Sequence, residues 1–415
     1  MTLPDAARPR WLENRIHEAL ADTPVVAIVG PRQAGKSTLM EAIIDGQPGW
    51  TSWTLDDLNV LERAHADPAG LIAAAPGPVA IDEVQRAPQL LLAIKASVDR
   101  DRRPGRFLIT GSADVFALPR VGDALTGRVE TITLRPFSQG ELAGRREDFA
   151  AWAFGDDEPP ATAPIADLPE RVLTGGFPPA TERRSAQRRR AWFDAYLATS
   201  LQRDVHDVAG IARLSDLPRL ARLVAARTAR PVNLSEMSRA SGLPTSTLTR
   251  YLQALQALFL VEEVPAWALS AGKRLARRPK LLISDTGLGG ALLGMTAARW
   301  AGVDEARGPL TETFVALELR RQLGWSSVSA TLHHYRDHDG AEVDLLLEAD
   351  DGRIVGIEVK SGHRLGLDAT RHLAGLRLAV GDRFARGVVL HGGDTAAPLD
   401  DRTWALPISA LWATP

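Results

Sequence analysis

Apolar residues at Trp11, Leu12, Ile16 and Leu20 recur at helical spacing, and the chain then enters the apolar stretch "PVVAIVG", Pro24 to Gly30. The first pattern predicts an amphipathic helix, the second a buried strand. Four more strand-like runs follow, "TSWTL" (51–55), "GPVAIDE" (77–83), "RFLITGS" (106–112) and "VETITL" (129–134), with helical or loop segments between them. Such alternation predicts a parallel sheet covered by helices on both faces. From Phe154 to Glu170 the periodicity stops in "FGDDEPPATAPIADLPE", whose Pro, Ala and Asp read as a linker or exposed loop.

Beyond that stretch, "SAQRRRAWFDAYLATSLQRDV" and "LSDLPRLARLVAAR" carry helical periodicity. The run "NLSEMSRASGLPTSTLTRYLQALQALFLVEEV" then predicts a helix, a glycine turn at Gly242, a second helix from about Ser246 and a strand. Helix, turn, helix and strand in this order read as a winged helix-turn-helix. From about Pro279 a strand, the helix "LTETFVALELRRQL", a hairpin and further strand and helix complete the chain. The expected domains are a sheet domain at 1–153, a linker at 154–170, a helical and winged-helix region at 171–278 and a second α/β domain at 279–415. There is no internal repeat.

The 415 residues, 45% hydrophobic, suffice for two or three cores. A formal charge of -2 gives no global field toward nucleic acid or membrane, so any such contact has to be local. The absence of cysteine excludes disulfides, thiolate zinc sites and cysteine nucleophiles. No stretch has the apolar length of a signal peptide or a membrane span, so the expected compartment is the cytoplasm and no membrane partner is expected.

"GPRQAGKS", Gly30 to Ser37, fits G-x-x-x-x-G-K-[ST] between an apolar strand and a helical "TLMEAII", the context that a phosphate-binding loop requires. The ATP-binding residues are then Gly30, Pro31, Arg32, Gln33, Ala34, Gly35, Lys36, Ser37 and Thr38. The glycines let backbone N–H groups curl round phosphate, Lys36 reaches the terminal phosphates and Ser37 ligates Mg²⁺. "VAIDE", Val79 to Glu83, supplies the partner motif: Asp82 is placed to hold the metal and Glu83 to polarise the attacking water. A helix cap at Asp82 is the structural alternative. The arrangement resembles the additional-strand class of P-loop ATPases with a catalytic glutamate. That likeness implies a γ-phosphate sensor at Thr110 or Ser112, between which spacing does not choose; either hydroxyl could instead be satisfied by backbone. By the same likeness Arg128, just before the last strand, could complete a neighbouring copy's site in a homo-oligomer, or could be a surface arginine.

Taken together, "GPRQAGKST", "LDD" (55–57), "AIDEVQ", "LITGSAD", "LTGRVE", "TGGFPPA" (174–180) and "SDTGL" (284–288) resemble the bacterial and archaeal AAA-type ATPases that carry a C-terminal domain of unknown function. The resemblance spans nearly the whole chain. It implies a P-loop NTPase parallel sheet, then a helical and winged-helix domain and a smaller α/β restriction-endonuclease-like domain, with ATP binding and hydrolysis and Mg²⁺ as cofactor. It names no substrate. Ser37 stands where relatives often have threonine, which leaves the metal-ligand role intact.

Two features bear on nucleic acid. In the second helix of the helix-turn-helix, Leu248, Leu252, Leu255 and Leu258 or Phe259 point inward and leave Ser246, Thr249, Arg250 and Gln253 outside. The following "SAGKRLARRPK" sets Lys273, Arg274, Arg277, Arg278 and Lys280 in what would be a wing, where they could neutralise phosphates. A protein-binding role for the same module is the alternative. The second feature is the hairpin "AEVDLLLEADDGRIVGIEVKSG", Ala341 to Gly362. A three-residue Asp350-Asp351-Gly352 loop pairs Ala349 with Arg353, Asp344 with Glu358 and Glu342 with Lys360. Alternation then puts those last four on one solvated face and Val343, Leu345, Leu347, Val355, Ile357 and Val359 on a buried one. Opposed Asp344 and Glu358 need a cation or a proton between them: a metal, Arg336 or Lys360 itself. Asp344 with Glu358-Val359-Lys360 resembles the D…(D/E)-x-K signature of restriction-endonuclease-like proteins, which implies Glu312, or secondarily Glu318, as a further ligand. The expected function is a Mg²⁺-dependent ATPase that acts on or near DNA, its expected partner, through the winged helix and the nuclease-like tail; the alternatives are an active nuclease and an ATP-gated, partner-binding switch with a catalytically inactive tail.

Overall fold

The computed structural model describes residues 8–112, 125–160, 162, 167–209, 216–270, 272, 274, 277–302, 305–337, 341–362 and 367–413, which form two compact units. In the first, β1 (Val25–Val29), β2 (Thr51–Thr54), β3 (Val79–Asp82), β4 (Phe107–Gly111) and β5 (Val129–Thr133) make a parallel sheet in the order β2-β3-β4-β1-β5. Strands appear where the pattern predicts them. β1, β3 and β4 are buried throughout because helices cover both faces of a parallel sheet. Val25, Ala27, Ile81 and Ile109 pack with Leu90, Leu91, Ile94 and Val98 of the Leu90–Arg100 helix. β4 lies between β1 and β3, in register Val29 with Gly111 and Ile81 with Ile109, so the loops after β1, β3 and β4 meet at one edge. In a parallel sheet that carboxyl edge is where ligands bind.

The second unit holds two sheets. β6 (Arg230–Pro231), β7 (Val261–Val264) and β9 (Lys280–Ile283) form a three-stranded antiparallel sheet in the order β6-β9-β7. Their chain order interleaves with helices Leu217–Ala226, Leu234–Ser241 and Thr245–Ala257, and Gly242 caps the second helix at φ +73° as the turn predicted. The larger sheet runs β14 (Ala397–Pro398), β15 (Thr403–Pro407), β13 (Phe384–His391), β12 (Ile354–Lys360), β11 (Glu342–Ala349), β10 (Ala330–Arg336) and β8 (Ala266–Trp267).

Three expectations are corrected here. The first unit comprises Met1–Phe137 together with Thr199–Leu214 and Gln253–Phe259, so the second begins at Ser138, ahead of the expected 153/154. Helix Phe149–Phe154 belongs to the second unit's core because its buried Phe149, Trp152 and Phe154 join that core. The start of the proposed linker is tied to the same sheet: Arg386 donates to Gly155 O at 2.8 Å and stacks 4.3 Å over Trp152, while Trp152 Nε1 donates to Glu158 O at 3.0 Å. Nor does a boundary fall at 278/279, since Lys280 lies in the three-stranded sheet and Leu260–Pro415 runs unbroken within the second unit.

The third correction concerns the hairpin faces. The predicted register holds from Leu345↔Ile357 to Leu347↔Val355, and Ala349 N donates to Arg353 O at 2.9 Å. The faces differ because β11 sits inside the sheet and is covered on both sides. Leu345, Leu347, Val355 and Ile357 pack in the core that includes Phe314 and Leu319 of helix Arg307–Gln322, whereas Val343 and Leu346 pack with Leu373 and Leu376 of helix Leu367–Val380. Against β10, Leu346 pairs with His333 but Val343 with Tyr335, which leaves one extra residue on β11. Such a bulge reverses the alternation, so Val343 shares a face with Leu346 instead of Leu345.

A buried polar group beside helix Arg307–Gln322 makes the stability pH-dependent. Glu318 accepts from Arg321 Nη1 at 2.6 Å and Gln139 N at 2.9 Å, and Glu141 accepts from Ser138 N at 3.0 Å. Glu147 is fully buried; burial, then the charges of Glu318 and Glu141, push its carboxyl up to about 8. A carboxyl whose folded pKa is raised contributes most below its unfolded pKa, near 4.5, and the contribution is lost as pH rises through about 8. Unfolding free energy is therefore expected to fall by a few kcal/mol between those limits, at about 1.4 kcal/mol per pK unit. Chemical denaturation across pH should show the slope in the native chain and a flatter one in Glu147→Gln.

Candidate functional site

At the carboxyl edge of the first unit's sheet, the loop after β1 turns through Gly30 (φ +152°), Gln33 (φ +59°) and Gly35 (φ +95°) into helix Lys36–Ile44. A Cβ at Gly30 would lie 2.1 Å from Leu134 O, so glycine is required there by close approach. Lys36 Nζ donates to Gly30 O at 3.0 Å and Pro31 O at 2.9 Å, closing the loop over a buried ammonium. Pro31 and Ala34 are buried, Arg32 and Ser37 half-buried, and Gln33 and Thr38 exposed.

Ser37 Oγ lies 2.9 and 3.0 Å from the two carboxylate oxygens of Asp82. A hydroxyl and a carboxylate in contact are the oxygen donors that Mg²⁺ takes beside a nucleotide. Thr110 Oγ1 donates to Asp82 Oδ1 and accepts from Glu83 N at 3.1 Å, so this one hydroxyl orients the carboxylate and the next peptide. Glu83 has φ +60°, a conformation that a non-glycine residue adopts only where its surroundings impose it. Its carboxylate accepts from Gln85 Nε2 and Ser112 Oγ, and Gln85 Nε2 also donates to Ser112 Oγ at 2.8 Å. Thr110 thus serves Asp82, and Ser112 serves Glu83. Gln85 was not singled out by the sequence, although its place two residues beyond Glu83 was a usable signal.

Arg10 was missed for a different reason. Its Nη1 donates to Ala34 O at 3.4 Å, its Nη2 to Arg135 O, and its guanidinium lies 4.5 Å over the Phe137 ring. An arginine twenty residues before the loop has no motif spacing to betray it. Arg128 is not brought to Lys36. It precedes β5, its carbonyl accepts from Val25 N at the amino end of β1, and its side chain pairs with Asp99 at 2.6 Å. It lies at the opposite end of the sheet from its own phosphate loop.

In the second unit, three cations of the basic segment, Arg274, Arg277 and Lys280, are engaged within the unit. Arg274 donates to Glu348 at 2.6 and 2.9 Å and to Ala268 O at 2.6 Å; Arg277 donates to Trp267 O at 3.5 Å and to Arg336 O. Although burial works against it, hydrogen bonds led by Arg274 hold Glu348 down to about 2. Strand β8 draws this segment onto β10 by parallel pairing. Lys280 is 1% exposed. Arg278 and Arg250 are exposed, Thr249 Oγ1 donates to Thr245 O at 2.9 Å, and Lys273 lies outside the described residues. Leu248, Leu252, Leu255 and Leu258 are buried as the helical pattern requires.

The tail's acids do come together, with partners that differ from the predicted ones. Lys360 Nζ pairs with Glu358 at 2.9 Å, not with Glu342. Asp344 Oδ2 accepts from Val359 N at 2.8 Å. Glu342 and Glu312 both lie 2.8 Å from Lys280 Nζ. Burial, and then the charge of Asp344, push Glu312 and Glu358 each up to about 8. Glu318 is engaged by Arg321 and Gln139 and is not among the residues that contact Lys280, Asp344 or Glu358.

The fold and the phosphate loop define an AAA-type P-loop ATPase domain, and residues 22–143 match the family model described as an AAA domain. The chain belongs to the same family as two mycobacterial proteins, Uncharacterized protein Rv2008c of Mycobacterium tuberculosis and Uncharacterized protein Mb2031c of Mycobacterium bovis. Each is 30% identical over 401 residues, 96% of this chain and 83% of the relative. Residues 165–299 and 307–411 match two further models, each described as a domain of unknown function (DUF8612 and DUF4143). Among solved structures, the Walker-type ATPase of Pyrococcus abyssi is similar at 14% identity and a TM-score of 0.40, covering 68% of this chain and 94% of that one. Among the described residues no helix is long and apolar enough to cross a membrane.

Proposed function

We propose that this protein is a Mg²⁺-dependent ATP-binding and ATP-hydrolysing protein. The observation that carries the reading is the contact of Ser37 with Asp82, one residue before Glu83, across the mouth of a phosphate loop whose lysine is already drawn inward. Mg²⁺ held by Ser37 and Asp82 would supply charge neutralisation on the terminal phosphates. Lys36 and the loop N–H groups bind and orient the phosphates. Glu83 takes a proton from the water that attacks the γ-phosphorus, Ser112 and Gln85 set its carboxylate, and Thr110 sets Asp82.

The cycle acts on or near DNA in the reading favoured by the helix-turn-helix and its exposed Arg250 and Arg278. A second reading, an ATP-gated switch that binds a protein partner, is favoured by the engagement of Arg274 and Arg277 inside the unit. ATPase rates measured with and without single-stranded, duplex and branched DNA in low salt separate the two. Stimulation that fades steeply with added salt and weakens in Arg250→Ala is the result expected for DNA. Absence of both binding and stimulation sinks that reading and leaves the switch.

A further inference from the structure

We infer that Lys280 is the resident cation of the tail's acidic cluster, and that this cluster does not take the divalent metal that its nuclease-like signature implies. A metal there would need the carboxylates of Asp344 and Glu358, with Glu312, turned toward one point and unoccupied. Lys280 Nζ instead lies 2.8 Å from Glu312 Oε1, 2.8 Å from Glu342 Oε1 and 3.2 Å from the carbonyl of Asp344. An ammonium has three protons and no lone pair, and here each proton has an acceptor. It cannot act as a ligand, and its fixed charge repels a cation at contact distance.

The remaining acids have donors of their own. Asp344 Oδ2 accepts from the Val359 peptide at 2.8 Å. Glu358 Oε2 accepts from Lys360 at 2.9 Å, while its Oε1 is buried without a hydrogen bond, 3.5 Å from His372 Nδ1. Each of the four carboxylates therefore has one oxygen engaged by a proton donor. Hard divalent ions need several oxygen ligands at roughly 2.0–2.6 Å about one point, and Lys280 already draws Glu312 and Glu342 to its ammonium. Next to the cluster, burial and the Lys280 charge press His334 down to about 4, as expected beside an ammonium that stays charged.

Lys280 enters from β9, in the three-stranded sheet, and reaches acids on helix Arg307–Gln322 and on β11. The ion cluster thus fastens the helical module to the larger sheet, a role that a dissociable metal would fill less reliably.

The test is Mn²⁺ titration of the full nucleotide-free chain, read by the electron paramagnetic resonance of free Mn²⁺. Asp82→Asn is present in every protein to silence the phosphate-loop site. The expected result is that Asp344→Asn leaves Mn²⁺ binding unchanged below about 1 mM, a range that covers weak protein sites. Lys280→Met should gain one site at least about ten-fold tighter, lost again in the Lys280→Met, Asp344→Asn double variant. A site in the Lys280 protein that Asp344→Asn removes overturns the inference. So does a Lys280→Met protein with native circular dichroism and no gained site. If Lys280→Met does not fold, the Asp344→Asn comparison decides alone, supported by gels in which Mn²⁺ gives no DNA nicking that depends on Asp344.

Discussion

With Glu83 replaced by glutamine, the protein is expected to bind ATP as well as the native chain and to turn it over about 100- to 10,000-fold more slowly, the usual worth of a positioned general base. Glutamine keeps the length of the side chain and its contacts with Ser112 and Gln85 but cannot accept the proton of the attacking water. The left-handed backbone at Glu83 is unaffected by the exchange, because both side chains begin with the same methylene groups. Lys36→Ala should act at the earlier step, weakening nucleotide binding about 100-fold, since charge-assisted contacts to phosphate are lost together with the bonds that close the loop. Fluorescent nucleotide titration and a phosphate-release assay on the same preparations separate the two effects. Near-native turnover by Glu83→Gln would remove Glu83 from its role.

The largest expected loss of stability comes from Asp285. The motifs "TGGFPPA" and "SDTGL" meet at this residue, which is fully buried and caps helix Thr286–Leu293 by accepting from Leu288 N at 3.0 Å. The same carboxylate accepts from Gly176 N at 2.8 Å. Gly175, at φ +69°, packs so closely that a Cβ would lie 2.1 Å from Asp285 Oδ1, and a Cβ at Gly287 would lie 2.5 Å from Thr174 O. Just beyond, Phe177 packs 5.5 Å from Trp192 and 4.9 Å from Tyr196. Asp285→Ala leaves two buried N–H groups without their acceptor, and a lost cap plus unsatisfied donors costs about 3–5 kcal/mol. Asp285→Asn retains one acceptor oxygen and should lose about half as much, and Gly175→Ala should fall between the two. Thermal melts followed by tryptophan fluorescence give the ranking; an Asp285→Ala protein as stable as the native chain would refute the latch. These motifs thus join two distant segments of the second unit through one carboxylate.

The ATPase half was legible in the sequence because its parts are local. A phosphate loop is eight consecutive residues, "VAIDE" is five, and each sits directly after a buried strand whose apolar run marks its position. The roles of Thr110 and Ser112 were not separable in the same way. Two residues apart at the end of β4, they diverge only through what β3 and the Val84–Arg86 turn place opposite them. In the tail, the hairpin register followed from loop length and alternation, and the structure keeps it from Leu345↔Ile357 to Glu348↔Ile354. The expected solvated face did not survive because hairpin alternation says nothing of what covers a strand. Here helix Arg307–Gln322 covers one side and helix Leu367–Val380 the other.

The division follows from the range of the interactions. Order along the chain was enough to specify the phosphate loop, the acidic pair at the end of β3, the two helices on either side of Gly242 and the pairing of β11 with β12, all of which depend on neighbours a few residues apart. Contacts between distant segments settled the rest. Arg10 reached the phosphate loop, Arg274 turned from a wing cation into the partner of Glu348, and Lys280 crossed from β9 to Glu312 and Glu342. A charge has no sequence signature for the partner that will neutralise it, because that partner is chosen by which strands pack together and how deeply they are buried.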